Sequence, residues 1–352
     1  MSKVRVLIVD DSAIVRQILI RELSKDPNIE VIGSAPDPYE ARDKIVTLKP
    51  DVITLDVEMP RMDGITFLSK LMKHYPIPVI IVSSHTKKGA DSTLNALEIG
   101  AIDVFEKPNM SKGENFDDIS MLLREKVISA SNANIKRKIK MKEEAEKKTG
   151  EKRKIYKLTR TTDKVVLIGA STGGTEAIKE VLTALPPDFP GILITQHMPA
   201  LFTDSFAERL DSLSKITVRE AKDGDMVREG LALLAPGNFH MVLKRTGGHY
   251  YVNVKNGPMV HHQRPSVDVM FLSASKSAGE NALGIILTGM GSDGAKGLLS
   301  MKEAGAYTIA EHEKTCIVYG MPRAAVEMGA VEKILPLDKI VANVIGFLNK
   351  SG

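Results

Sequence analysis

Short apolar runs alternate along this chain with longer segments in which apolar residues recur at helical spacing. In the first part of the chain the apolar runs predict five strands, which are Val4–Asp10, Val31–Ala35, Val52–Asp56, Val79–Ser83 and Ile102–Phe105. The spacing between them predicts helices that include Ile14–Leu23, Ile65–Met72 and Thr93–Ile99. Apolar strands that alternate with helices through short connections are typical of a parallel, doubly wound sheet.

A second alternation of the same kind runs from residue 163 to residue 350. Its predicted strands are Val165–Gly169, Ile192–Gln196, Ala232–Ala235, Met241–Leu243, Tyr250–Val254, Leu283–Leu287 and Tyr307–Ala310. Its predicted helices include Thr175–Leu185, Phe202–Leu210, Val267–Ser275, Leu298–Ala304 and Lys339–Leu348. We therefore predict an α/β protein with two doubly wound domains, a five-stranded parallel flavodoxin-like sheet and then a Rossmann-like, mostly parallel sheet.

The segment between the two alternations, residues 126–162, changes in composition. Residues 136–160 hold 12 Lys or Arg and 4 Glu, a net charge of +8 in a chain whose total is +4. So few apolar residues cannot bury enough surface to order a segment on its own, and we predict a flexible charged linker between domains 1–125 and 163–350. Because the basic charge is confined to this linker, it gives little reason to expect nucleic-acid binding, although docking on an acidic partner is an alternative.

Composition narrows the class of protein further. The single Cys316 rules out an internal disulfide, and no apolar stretch approaches the roughly 20 residues that span a bilayer. The first residues lead directly into a predicted strand without the apolar core of a signal peptide. We expect a monomeric protein of the reducing cytoplasm that does not insert into membranes.

Acidic residues lie where two predicted strands of the first domain end. Asp10 and Asp11 end the first strand and Asp56 ends the third, so a parallel sheet brings three carboxylates to one edge. Such carboxylates disfavour one another's ionisation, and Mg²⁺ relieves that repulsion while keeping several waters. Ser83 ends the fourth strand and Lys107 follows the fifth, and both could contact a phosphoryl group that one carboxylate accepts.

This constellation resembles the receiver domain of two-component response regulators over residues 1 to about 125. The resemblance implies that Asp56 accepts a phosphoryl group from a histidine kinase, with Ser83 and Lys107 in contact with it. The implied Mg²⁺ ligands are Asp11, Asp56 and the Glu58 main-chain carbonyl directly, and Asp10 through water.

Two further details of the receiver-like domain lie close to Lys107. The position three residues before Lys107, which is usually an aromatic switch in receivers, is Val104, and Phe105 is one step away. The bond between Lys107 and Pro108 is predicted to be cis, which would aim the lysine inward.

Three predicted strand ends of the second domain carry residues of a hydrolytic triad. Ser171 follows the first strand in a G-x-S-x-G string, His197 follows the next, and Asp293 lies in the glycine-rich turn after the strand Leu283–Leu287. Taken singly, these are a helix cap, a loop histidine and a turn residue. Together they predict a serine nucleophile, a base and an orienting acid.

Alternatives remain at this stage. The residue pattern does not exclude three other histidines as the base, namely His240, His261 and His262. The turn Gly169–Gly174 could instead hold a nucleotide phosphate, although the dinucleotide glycine spacing is absent.

The motifs GASTGG at 169–174, QHMP at 196–199, HHQRPSVD at 261–268 and LTGMGSDGA at 287–295 resemble the catalytic domain of chemotaxis protein-glutamate methylesterases. The resemblance implies Ser171 as nucleophile, His197 as base, Asp293 as orienting acid and the Met290 main-chain N–H as oxyanion donor. It implies hydrolysis of glutamate γ-methyl esters on chemoreceptors and deamidation of receptor glutamines, without a metal. Ser292 replaces an Asn that is common in the family.

The domain order implies that phosphorylation by a chemotaxis histidine kinase controls access to Ser171. One rival hypothesis is a DNA-binding regulator that uses the basic linker. Another is a docking module without catalytic activity.

Overall fold

Two separate parallel sheets organise the chain. The computed structural model describes residues 2–59, 62–83, 87–107, 116–135 and 163–350. These residues form two compact units, one N-terminal and one C-terminal, and each surrounds its own sheet. The predicted fold class, two doubly wound α/β domains, is confirmed.

The N-terminal unit has five strands in the order β2-β1-β3-β4-β5, and every neighbouring pair is parallel. The strands are β1 Val4–Val9, β2 Ile29–Ala35, β3 Val52–Asp56, β4 Val79–Ser83 and β5 Asp103–Glu106. The helices are α1 Ala13–Leu23, α2 Pro38–Leu48, α3 Gly64–His74, α4 Lys87–Ile99 and α5 Phe116–Ser131.

The central strands of this sheet are buried on both faces. Every residue of β3 and β4 is buried, as continuous apolar runs between two helical layers should be. Side-chain oxygens of Ser12, Asp37 and Asp63 accept main-chain N–H groups in the first turns of α1, α2 and α3, which fixes where those helices begin. The strands therefore end together, and the residues after them share one edge of the sheet.

The C-terminal unit has a seven-stranded sheet in the order β15-β14-β13-β6-β7-β10-β8, again parallel throughout. Its strands are β6 Val165–Ala170, β7 Ile192–Gln196, β8 Thr217–Glu220, β10 Leu231–Leu234, β13 Ala282–Ile286, β14 Tyr307–Glu311 and β15 Lys333–Leu335. Its helices are α6 Gly174–Thr183, α7 Ala200–Leu213, α8 Val267–Ser277, α9 Ala295–Glu303, α10 Met321–Glu327 and α11 Leu337–Leu348. A separate antiparallel sheet contains β9 Met226–Val227, β11 His240–Thr246 and β12 His249–Lys255.

The structure differs from the sequence-based elements mainly at the margins of this unit. The prediction lacked the edge strands β8 and β15, the two-residue strand β9 and the short helix α10. These elements are short, and β8 and β15 expose part of their length, so their apolar pattern is weak. The two strands predicted around Met241 and Tyr250 are the hairpin β11–β12, which pairs apart from the main sheet.

Helix α8 packs on the main sheet and brings its N-terminus to the sheet's carboxyl edge. Val267 and Phe271 on α8 are fully buried in the same apolar core as Leu167 and Leu193 of the sheet. None of the described helices combines the length and apolar character needed to cross a bilayer.

The predicted linker lies mostly outside the described residues, as does Pro108 with its predicted cis bond. Helix α5 continues to Ser131, past the predicted boundary at residue 125. The domain limits thus stay a prediction.

The close approach of β6 to α8 generates a stability prediction. A Cβ on Gly169 would overlap the Val267 side chain, so Gly169→Ala should lower the free energy of unfolding of the C-terminal unit by about 1–3 kcal/mol. The measurement is urea denaturation. Gly346→Ala, on an exposed face of α11 with open space around it, is the control and should gain up to about 1 kcal/mol. Equal stability of the two variants would contradict this packing argument.

Candidate active site

Ser171 and His197 leave the sheet side by side. Ala170 at the end of β6 pairs with Gln196 at the end of β7, and the His197 N–H donates to the Ala170 carbonyl at 3.1 Å. Because neighbouring strands lie about 4.8 Å apart, the next residues on each strand are adjacent. Both side chains are almost fully buried. The strand register therefore places the predicted nucleophile beside the predicted base.

Asp293 reaches this position from the turn that follows β13. Its Oδ2 accepts from His197 Nε2 at 2.8 Å and from the Val267 N–H at 2.7 Å. Its Oδ1 accepts from Ser266 Oγ at 2.8 Å and from the Asp268 N–H at 2.9 Å. The carboxylate thus sits on the N-terminus of α8, where the helix dipole favours negative charge.

These contacts set the ionisation of the acid. Burial alone would raise the pKa of Asp293, but the His197 ring and the N–H groups of Asp268 and Val267 hold that pKa below its usual range. The carboxylate is therefore ionised at neutral pH. Because Nε2 of His197 is bonded to Asp293, Nδ1 is the ring nitrogen that remains available to a further partner.

In the described part of the chain no hydrogen bond joins Ser171 Oγ to the His197 ring. Catalytic hydrogen bonds are often loose before substrate binds and tighten in the complex. The arrangement has the three groups of a serine hydrolase in adjacent positions.

The turn after β13 also lies against Ser171. A Cβ on Gly289 would be 2.8 Å from the Ser171 Cβ, and the Gly289 main chain is held by Val318 and Gly320 through hydrogen bonds of 3.1 and 3.0 Å. No main-chain partner for the Met290 N–H occurs within the described ranges. The role of that N–H as an oxyanion donor stays a prediction.

The glycines of the 169–174 turn serve close packing. Added Cβ atoms would overlap Val267 at Gly169, Ile317 at Gly173 and the Gln196 side chain at Gly174. The space that a phosphate would need beside these glycines is filled by protein, which disfavours the nucleotide-binding alternative.

The receiver-like edge is a charge cluster. Lys107 Nζ lies 2.9 Å from Asp10 Oδ2 and 2.7 Å from Asp56 Oδ2. Carboxylate oxygens of Asp10, Asp11 and Asp56 lie within 4.8 Å of one another. Three carboxylates and one ammonium leave an excess of negative charge among hard oxygen donors, which fits Mg²⁺.

The electrostatics of Asp56 follow from the same geometry. Burial raises the pKa of Asp56, and the hydrogen bonds from Lys107 and the Glu58 N–H offset that rise only in part. Although burial alone would lower it, the two carboxylates raise the pKa of Lys107, which stays charged. Ser83 Oγ is buried nearby at the end of β4 and has no hydrogen-bond partner in the described part of the unit. Such an oxygen is free to bond a phosphoryl group.

Comparison with known proteins decides the family. The CheB methylesterase family model matches residues 166–344, and the response regulator receiver model matches residues 6–114. The chain belongs to the CheB methylesterase family. The resemblance seen in its motifs is thereby confirmed.

Relatives of this CheB chain match it over nearly its full length. It is 61% identical to "Protein-glutamate methylesterase/protein-glutamine glutaminase 2" of Syntrophus aciditrophicus, over 98% of this chain and 99% of that protein. It is 50% identical to "Protein-glutamate methylesterase/protein-glutamine glutaminase" of Bdellovibrio bacteriovorus, over 97% of each chain. The crystal structure of the Thermotoga maritima CheB methylesterase catalytic domain matches with 40% identity and a TM-score of 0.52, over 53% of this chain and all of that one.

The structure of this CheB chain separates His197 from the competing histidines. His240 is buried, with Nε2 bonded to the Pro258 carbonyl and Nδ1 to the Ser266 N–H. His261 Nε2 pairs with Asp268 at 3.0 Å. The imidazole hydrogen-bonded to Asp293 is that of His197. In the part of the chain that the structure describes, His262 makes no side-chain hydrogen bond or ion pair that would support it as the base.

Two supporting residues were missed by the sequence reasoning. The Gln196 side-chain nitrogen donates to the main-chain carbonyls of Ser171 at 2.9 Å and His197 at 3.3 Å. Ser266 caps α8 and donates to Asp293. Gln196 lies in the QHMP motif and Ser266 in the HHQRPSVD motif, so the motifs included both residues but did not indicate their roles.

Val104 and Phe105 on β5 are both buried. The receiver of this chain therefore has no exposed aromatic at either of these positions, and the effect on switching stays a prediction.

Removing the charge of Asp293 tests the triad geometry without a receptor substrate. Asp293→Asn should slow covalent labelling of Ser171 by a fluorophosphonate about 10³- to 10⁴-fold, because an amide cannot orient the imidazole or stabilise its charged form. Labelling kinetics followed by mass spectrometry measure this rate. Asp188→Asn, at an exposed carboxylate, is the control and should label at the wild-type rate. Unchanged labelling of Asp293→Asn would rule out this acid.

Proposed function

We propose that this chain hydrolyses glutamate γ-methyl esters of chemoreceptors and deamidates receptor glutamines, by means of a Ser171/His197/Asp293 triad. The observation that carries the proposal is the buried His197–Asp293 hydrogen bond of 2.8 Å at the strand position beside Ser171. The names of the relatives support the substrate class.

The chemistry follows from these positions. Ser171 Oγ attacks the ester carbonyl while His197 Nδ1 takes its proton, and Asp293 stabilises the imidazolium that forms. The tetrahedral oxyanion accepts a hydrogen bond from the Met290 N–H. His197 returns the proton to the departing methanol, or to ammonia when the substrate is a glutamine amide.

The second half of the reaction frees the enzyme. Water, deprotonated by His197, attacks the acyl-serine bond and releases the receptor glutamate together with regenerated Ser171. Because the nucleophile, base and oxyanion roles are filled by groups of the chain, we propose no metal at this step.

The receiver unit is proposed to accept a phosphoryl group on Asp56 from a chemotaxis histidine kinase. Bound Mg²⁺ would neutralise charge that develops on the transferred group. Asp11, Asp56 and the Glu58 carbonyl would hold it directly and Asp10 through water. Lys107 and Ser83 would contact the phosphoryl oxygens, a role that fits the unpartnered Ser83 hydroxyl.

Regulation is proposed to act on access to Ser171. A receptor helix is a bulky substrate, and a receiver packed over the Ser171 edge would block it more than it would block water or a small reagent. Phosphorylation of Asp56 would shift the chain toward an uncovered state. The rival DNA-binding function lacks support, since the effector unit is a CheB methylesterase domain.

The nucleophile is tested by substitution. Ser171→Ala should reduce methanol release from methylated receptor membranes by about 10⁴-fold or more, because water must then attack without a covalent intermediate. Methanol release is measured against Ser205→Ala, a buried serine of α7 outside the triad. Persistence of most activity in Ser171→Ala would exclude this nucleophile.

The regulatory proposal is tested in the full chain. A small phosphodonor with Mg²⁺ should increase methanol release by the wild-type chain, and Asp56→Asn should remove the increase while keeping basal activity. Asp43→Asn, an exposed carboxylate paired with Arg42, should respond like wild type. A full response in Asp56→Asn would show that phosphorylation of this residue does not control the enzyme.

A further inference from the structure

A fully buried carboxyl lies next to the candidate active site without taking part in the triad. Glu311 ends β14, the strand beside β13, and its side chain is inaccessible to solvent. Glu311 Oε2 accepts the Thr288 N–H at 2.8 Å, and Oε1 has no hydrogen-bond partner in the part of the unit that the structure describes. A half-satisfied buried carboxyl is costly and calls for a physical reason.

Thr288 connects Glu311 with the nucleophile. Its carbonyl accepts the Ser171 N–H at 3.1 Å, and its hydroxyl donates to the Thr172 carbonyl at 3.0 Å. The same hydroxyl accepts the N–H groups of Ile317 and Val318, at 3.1 and 3.0 Å. One residue thus joins the Ser171 turn, the end of β13 and the loop after β14.

The turn that contains the Met290 N–H also depends on Thr288. Gly289 follows Thr288 directly, and its N–H donates to the Val318 carbonyl at 3.1 Å. Met290 is the next residue. A shift of Thr288 would therefore move both the Ser171 main chain and the Met290 N–H.

Glu311 differs from the other buried acids of this unit. Asp293 accepts four hydrogen bonds, and Asp268 accepts from His261 on one oxygen and from the Gly297 N–H on the other. Glu311 has one such bond, and that bond ends on Thr288. A carboxyl with a single hydrogen bond can gain or lose a proton without breaking a network of hydrogen bonds.

Its surroundings put that change near neutrality. Burial raises the pKa of Glu311 to about 7, and the Thr288 N–H and the side chains of Thr315 and Cys316 offset the rise only in part. Two titratable groups act on Glu311: Cys316 on the following loop lowers its pKa, and Glu180 on α6 raises it further. No ion pair to Glu311 occurs in the described ranges.

We propose that Glu311 is a positioning residue that acts through Thr288, and that its ionised form holds Ser171 and the Met290 N–H in the catalytic arrangement. The inference rests on the proposed function of Ser171. A hydrogen bond to a carboxylate is roughly twice as strong as one to a neutral acid, so protonation of Glu311 loosens Thr288.

The sign of the pH effect follows. As pH falls through neutrality, Glu311 takes up a proton and Ser171 loses its placement. The acid side of the wild-type rate profile therefore contains the protonation of Glu311 and is steeper than that of a chain in which residue 311 cannot titrate.

The decisive variant is Glu311→Gln, which keeps an oxygen acceptor for the Thr288 N–H and cannot titrate. By the same argument it should behave like the protonated form, with lower activity than wild type above neutrality and an acid limb that is shallower than that of wild type. Two rates are measured across the acid side of neutrality: kcat/KM for methanol release from methylated receptor membranes, and fluorophosphonate labelling of Ser171. Glu180→Gln, which removes a nearby charge but leaves the bond to Thr288, is the control and should keep the steep limb.

A second variant separates positioning from binding. Glu311→Leu removes the acceptor, so kcat should fall roughly 10- to 100-fold, as expected for a small misplacement of a nucleophile, with KM unchanged. Glu311→Gln should lose less activity than Glu311→Leu, because it keeps a neutral acceptor for the Thr288 N–H. Thermal unfolding checks that both variants are folded. Glu311→Gln should not lower the melting temperature, because a carboxyl whose pKa is raised by folding costs stability as pH rises, and Gln has no such cost.

The outcomes are distinct. An acid limb in Glu311→Gln that is shallower than that of wild type, with a kcat loss in Glu311→Leu, supports the proposal. An acid limb in active Glu311→Gln as steep as in wild type overturns it and leaves the triad intact. Labelling of Ser171 without methanol release by the wild-type chain would refute the proposed function, while the labelling profile would still decide the role of Glu311.

Discussion

The buried carboxylate of Asp293 is the constraint on which the catalytic edge depends. A charge taken out of water is costly unless hydrogen bonds replace the lost solvation. Here Ser266, the first two N–H groups of α8 and the His197 ring replace it. To meet those groups, α8 must pack its N-terminus against the carboxyl edge of the sheet. The glycine at position 169 lets Val267 approach that closely.

The carboxyl edge of the N-terminal sheet also buries carboxylates, but their charge is compensated in a different way. Asp10 and Asp56 are also buried, yet their main compensation is a single ammonium, Lys107. The remaining negative charge is unbalanced, which is what a site for a divalent cation and a phosphoryl group requires. One unit therefore holds a carboxylate that four hydrogen bonds fix in place, and the other holds carboxylates whose charge is only partly balanced.

Much of the fold could be predicted because its central strands are buried on both faces. Val52–Asp56 and Val79–Ser83 have the bounds that the apolar runs gave, since such strands end abruptly at polar residues. Edge strands such as Lys333–Leu335 carry no comparable pattern. The adjacency of Ser171 and His197 could also be predicted, because each residue directly follows a strand. Neighbouring parallel strands end at the same edge of a sheet, so only the order of the two strands had to be right.

The rest of the site depends on tertiary packing. The N–H groups that hold Asp293 come from residues 25 and 26 positions away and have no side-chain signature. Glu311 looked like an ordinary charged residue after the predicted strand Tyr307–Ala310, and only the packing around β14 makes it a buried acid. The role of Thr288 likewise arises from its main-chain bonds.

The central claim is that receptor glutamate passes through an ester bond to Ser171. The most direct measurement is acid quenching of the enzyme during turnover of a methylated receptor segment, followed by mass-spectrometric location of the acyl group. The acyl group should be attached to the peptide that contains Ser171. An acyl group on any other side chain during turnover would contradict this claim.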